Sequence, residues 1–96
     1  MIEKDVEKLL TARVKELGGI AYKFVSPGHA GVPDRLIIMP GGEVVFAELK
    51  APGKKERPLQ EVEQERLRKL GAVVFSAVDS AEKVEEVVRY IRRFCR

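Results

Sequence analysis

The chain is predicted to be an α/β domain, a mixed central sheet flanked by helices in the order α-β-β-β-α-β-α. Three observations predict it. Residues 3–17 carry an apolar stripe at helical spacing. Two short apolar runs, Leu36-Ile37-Ile38-Met39 and Val44-Val45-Phe46-Ala47, face each other across Pro40-Gly41-Gly42. A helix begun by Pro58 then leads through Val73-Val74-Phe75 to a last amphipathic segment. With 96 residues this is one small domain, 1–96. Its core is modest, so help from a second subunit is not surprising.

Each element has its own signal. Val6, Leu10, Val14 and Leu17 share a helical face, and Gly18-Gly19 ends the helix. Residues 20–25, Ile20-Ala21-Tyr22-Lys23-Phe24-Val25, alternate as a strand. Ser26 to Pro33 make a loop rich in glycine and proline, whose glycines permit close approach to a phosphate backbone. Pro33 biases Val32 toward extended backbone and starts a second strand at Asp34. A third strand runs from about Glu43 to Lys50. Val45 and Ala47 line one face and Val44 and Phe46 the other, so a central strand covered on both sides is expected. Ala51 to Arg57 form a second loop. Pro58 opens a helix whose apolar face is expected to be Leu59, Val62, Leu67 and Leu70, with Gly71 at its end. Ala72 to Val78 read as a short buried strand. Asp79 and Glu82 suggest a capping box for a last helix that turns Val84, Val87, Val88, Ile91 and Phe94 inward.

Composition narrows the class. Apolar residues make up 45% and charged residues 34%, the balance of a soluble globular chain. A net charge of +3 and a pI of about 9.2 suit nucleic acid without requiring it. The cations cluster: Lys54, Lys55 and Arg57 in one loop, and Arg89, Arg92, Arg93 and Arg96 near the C-terminus. The single cysteine, Cys95, excludes an intrachain disulfide and a cysteine-based zinc site, and reads as a packing residue. No run approaches membrane length and no signal-peptide pattern opens the chain, so a reducing cytoplasm is expected.

The chemistry gathers at the ends of the two facing runs. If Pro40-Gly41-Gly42 is the loop, Met39 pairs with Glu43, and counting back along both arms places Asp34 opposite Glu48. Opposed residues share a face with Cβ atoms roughly 4.5–5.5 Å apart, and Lys50, two residues beyond Glu48, faces the same way. A slip of one residue would separate the acids. Close carboxylates at the end of a buried strand repel unless neutralised, and hard oxygen ligands suit Mg²⁺ or Mn²⁺. A lysine beside such a site is equipment for phosphodiester hydrolysis. The same residues also read as ordinary cross-strand ion pairs on a solvated hairpin. His29, the only histidine, either touches phosphate or is simply exposed.

The run Lys23-Phe24-Val25-Ser26-Pro27-Gly28-His29-Ala30-Gly31-Val32-Pro33-Asp34-Arg35 is continued by Phe46-Ala47-Glu48-Leu49-Lys50-Ala51-Pro52-Gly53-Lys54-Lys55 and Arg57-Pro58-Leu59-Gln60. Together they resemble the virus-type replication-repair nuclease (VRR-NUC) family, part of the PD-(D/E)XK nuclease superfamily. The similarity spans roughly Glu3 to Ile91. It implies a restriction-endonuclease-like core and a metal-dependent, structure-selective DNA endonuclease, bacterial or phage-encoded. Small stand-alone relatives resemble Holliday-junction resolvases and act as homodimers, while relatives fused to larger proteins cut flaps. The implied site has Asp34, Glu48 and the Leu49 carbonyl holding Mg²⁺ or Mn²⁺. Lys50 bears on the attacking water and Gln60 orients Lys50 or that water. Glu7 of the first helix points into the metal site, with Glu3 as its alternative. The DNA-binding set is Lys23, Ser26, His29, Lys54, Lys55 and Arg57. Two other classes stay open: a non-catalytic DNA-binding module of the same fold, and a metal-dependent phosphatase acting on small molecules.

Overall fold

The computed structural model describes residues 1–95; Arg96, counted above in the C-terminal basic cluster, lies outside the described residues. The elements are α1 (Glu3–Glu16), β1 (Ile20–Lys23), β2 (Arg35–Ile38), β3 (Val44–Leu49), α2 (Pro58–Lys69), β4 (Val73–Val78) and α3 (Ala81–Phe94). Their order is the predicted one. The sheet runs β1-β2-β3-β4, with β1/β2 and β2/β3 antiparallel and β3/β4 parallel. Two parallel neighbours cannot be joined by a tight turn, so α2 makes the crossover.

The core lies between one face of this sheet and helices α1 and α3. Val6, Leu10 and Val14 of α1 and Val84 and Val87 of α3 are fully buried against Ile37 and Ala47 of the sheet. Each such aliphatic side chain contributes on the order of 1.5–3 kcal/mol by leaving water. Arg13 of α1 clamps Glu85 of α3 through Nε at 2.8 Å and Nη2 at 3.0 Å, which holds the Glu85 carboxyl below its usual range. The helix ends follow local chemistry. Asp5 accepts the Ile2 N–H at 2.9 Å, and Gly18 takes φ +88° just after α1. Ser80, not Asp79, caps α3, accepting the Lys83 N–H at 3.2 Å. Asp79 is one residue too early and accepts from Gly53 instead.

The opposite face of the sheet is covered only in part. Helix α2 packs on β4 and on the charged end of β3, so Val44 is exposed and Phe46 is half-buried against Phe24, with ring centroids 5.7 Å apart. The expectation that β3 is covered on both sides along its length is corrected accordingly. The apolar face expected for α2 is also corrected. Leu59 and Val62 are 55% exposed and Leu70 80%, while Gln60, Glu63 and Gln64 are buried. The helix turns its polar side inward because the sheet offers it polar partners there: Glu48 and Lys50 for Gln60, and Ser76 for Gln64. Phe94, expected to point inward, is 59% exposed and stacks on Tyr90 at 4.9 Å.

One irregularity bears on the site. Ala47 pairs with Phe75 but Leu49 pairs with Val78, so Ser76 and Ala77 together oppose Glu48. This β-bulge takes Ala77 to φ +48°, and the Glu56 carboxylate accepts its N–H.

Candidate active site

Met39 N–H donates to the Glu43 carbonyl at 3.0 Å and closes the Pro40-Gly41-Gly42 loop. From there the register runs Ile38↔Val44, Ile37↔Val45, Leu36↔Phe46 and Arg35↔Ala47. The next step sets Asp34 against Glu48. The two acids are interlocked through the backbone. Asp34 N–H donates to Glu48 Oε1 at 3.2 Å, and Leu49 N–H donates to Asp34 Oδ1 at 3.1 Å.

Glu48 Oε2 is held from two sides. Lys50 Nζ lies 3.0 Å away and Gln60 Nε2 donates to it at 3.0 Å. Gln60 Oε1 in turn accepts from Lys50 Nζ at 2.8 Å and from Arg57 N–H at 2.8 Å. Gln60 therefore does two jobs. It satisfies an open N–H at the start of α2, and it holds both Glu48 and Lys50 through its amide. Its own position is set by Gly31. That residue takes φ +93°, and a Cβ there would come within 2.7 Å of the Leu59 carbonyl oxygen, so the Gly31 loop lies directly on the first turn of α2.

The electrostatics follow from burial. Glu48 is 4% exposed. Burial pushes its carboxyl above the usual range; Asp34 pushes it further, while the hydrogen bond from Lys50 opposes both. Asp34 is also raised, first by burial, against the Leu49 N–H and the charges of Arg35 and Lys50. One lysine thus faces two desolvated carboxylates. Among the described residues no group of three or more His, Cys, Asp or Glu side chains gathers to hold a metal. Two carboxylates with under-compensated negative charge, and an Asp34 oxygen without a hydrogen-bond partner among the described residues, fit an oxygen-loving divalent cation that keeps most of its waters. They do not fit a zinc cage built of nitrogen and sulfur.

The other predicted residues are placed differently. Glu7 does not contact the acid pair; its Oε1 binds Arg35 Nη2 at 2.8 Å. Arg35 follows Asp34 in the strand and therefore points to the other face, where α1 packs and where Arg35 is itself buried. Glu3, one turn earlier, is close enough to Asp34 to raise its carboxyl. Lys23 pairs with Arg35 and so points to the α1 side, away from Asp34 and Glu48. Lys54, Lys55 and Arg57 are exposed on the loop between β3 and α2. His29 is exposed, and its N–H donates to the Ser26 carbonyl at 3.2 Å. The Ser76–Ala77 bulge and its Glu56 partner escaped the sequence reading, because an alanine at positive φ carries no glycine or asparagine signal.

No protein-family profile matches the chain. A curated relative does: the protein named "Putative nuclease p44" of Acyrthosiphon pisum secondary endosymbiont phage 1 is 55% identical over 69 residues, covering 72% of this chain and 74% of the relative. A solved structure described as a VRR_NUC domain superposes with a TM-score of 0.83 at 37% identity, covering 92% of this chain and 95% of the other.

Proposed function

Because the chain belongs to the VRR-NUC family, we propose that it is a nuclease, a metal-dependent and structure-selective DNA endonuclease that resolves Holliday junctions as a homodimer. The observation that carries this reading is the cluster of Asp34, Glu48, Lys50 and Gln60, joined by hydrogen bonds of 2.8–3.2 Å.

Asp34 and Glu48, with the Leu49 carbonyl, would hold Mg²⁺ or Mn²⁺. Such an ion supplies Lewis-acid polarisation of a phosphate oxygen and lowers the pKa of a bound water. The chain's own residues supply the rest. Glu48 Oε2 and Gln60 Oε1 fix the Lys50 ammonium where negative charge develops on the phosphoryl oxygens, a contribution worth about 3–4 kcal/mol at comparable preorganised donors. Lys54, Lys55 and Arg57 lie along the adjoining loop and would bind the DNA backbone on either side of the scissile bond. A four-way junction needs two symmetric cuts, which a two-fold pair of sites would make.

Purified protein should be incubated with labelled four-way junction, flap and linear duplex, each with Mg²⁺, with Mn²⁺ and with chelator. Cleavage of the junction only in the presence of metal, lost in Glu48→Ala and Lys50→Ala, is the expected result. Preferential cutting of flaps would move the substrate to that class. Binding without any cutting would leave a DNA-binding module of the same fold.

A further inference from the structure

The outer side of α2 is the surface the fold leaves without a function. Leu59, Val62 and Leu70 lie on one helical stripe and are more than half exposed. The charges on the same stripe are divided along its length. Glu61 and Glu65 occupy the N-terminal half, and Arg66 and Lys69 the C-terminal half. The other exposed apolar row, Ile20, Ile38 and Val44 across three strands, has no such division.

We propose that α2 pairs antiparallel with α2 of a second copy of this chain, about a two-fold axis passing between Glu65 and Arg66. The inference rests on the dimeric reading proposed above and assigns its surface. In a two-fold contact each residue meets the partner's counterpart in reverse order. Leu59 and Val62 of one copy then meet Leu70 of the other. Glu61 meets Lys69, twice over. A stripe that is apolar throughout and acidic at one end, basic at the other, is complementary to itself only in this orientation. A parallel arrangement would set like charges together. The helix has 12 residues and is roughly 18 Å long, enough for the stripe to make a continuous seam. Gln60 lies on the inner side of the same helix, so the seam would hold two active sites at a fixed separation.

The test uses the full chain in sedimentation equilibrium over micromolar to submillimolar concentrations. Wild type should self-associate to a dimer. Val62→Glu with Leu70→Glu should weaken association by at least about tenfold, with circular dichroism confirming the fold. Glu61→Lys alone and Lys69→Glu alone should each weaken it, and the two together should restore it. That restoration cannot come from better helix formation, because the double change places both charges against the helix dipole. A dimer indifferent to all these changes would overturn the α2 seam while leaving the homodimer intact. A wild-type monomer at every concentration would overturn both, and junction cleavage by that monomer would show the nuclease reading standing apart from them.

Discussion

Replacing Asp34 with asparagine is expected to stabilise the metal-free protein while removing its response to Mg²⁺. The substitution keeps the acceptor for the Leu49 N–H and removes one negative charge from the pair. Opposed residues hold their Cβ atoms ~5 Å apart, and two like charges at ~5 Å repel by about 3 kcal/mol at an effective dielectric constant of ~20. Lys50 and Arg35 attract the Asp34 carboxylate and offset much of this, leaving a relief of about 1 kcal/mol. In a domain of this size ~1 kcal/mol moves Tm by about 4–8 °C. The pH dependence has a definite sign. Both carboxyls are raised above their unfolded values, so the penalty is absent where both are protonated in the folded and unfolded states. It grows as pH rises through the raised folded values and is complete above them. The Tm gap between variant and wild type should therefore be closed in acid and fully open at mildly alkaline pH. Mg²⁺ at ~100 times its dissociation constant should raise wild-type stability by about 2.7 kcal/mol and leave the variant unchanged. Scanning calorimetry across pH, with and without Mg²⁺, measures all of this. A variant less stable than metal-free wild type, or one still stabilised by Mg²⁺, would refute the reasoning.

Lys50→Ala should lower the single-turnover cleavage rate by roughly 10²–10³ with little change in junction affinity, as read by quenched-flow and fluorescence anisotropy. Gln60→Ala removes three hydrogen bonds, two of them to charged groups, and should cost about 2–4 kcal/mol in urea unfolding as well as slowing cleavage; an unchanged midpoint would contradict the described contacts. Gly31→Ala should destabilise the domain by more than about 1 kcal/mol, because it combines a left-handed backbone with a clash against the Leu59 carbonyl. Lys54→Ala with Lys55→Ala should lessen the slope of log K against log salt by about 2, which anisotropy titrations at several salt concentrations would read.

Local sequence determined a good deal of this protein. The α1 and α3 stripes, the proline that opens α2 and the glycines after α1 and α2 act within a few residues, so the element order was legible. The three-residue loop after Met39 set the β2–β3 register, and with it the meeting of Asp34 and Glu48, because strand pairing propagates from the turn one residue at a time. What depends on the neighbour across the sheet was decided only by the tertiary structure. The pattern of α2 offers an apolar and a polar side, and the polar one went inward because Glu48, Lys50 and Ser76 await it there. Glu7 shares the first turns of α1 with Glu3, yet binds Arg35, because that arginine is the group β2 presents to α1. Ala77 gives no sign of its backbone until β4 must pass Glu48 with one residue to spare. Helical and strand periodicity name a face, but the groups opposite that face settle which residues fill it.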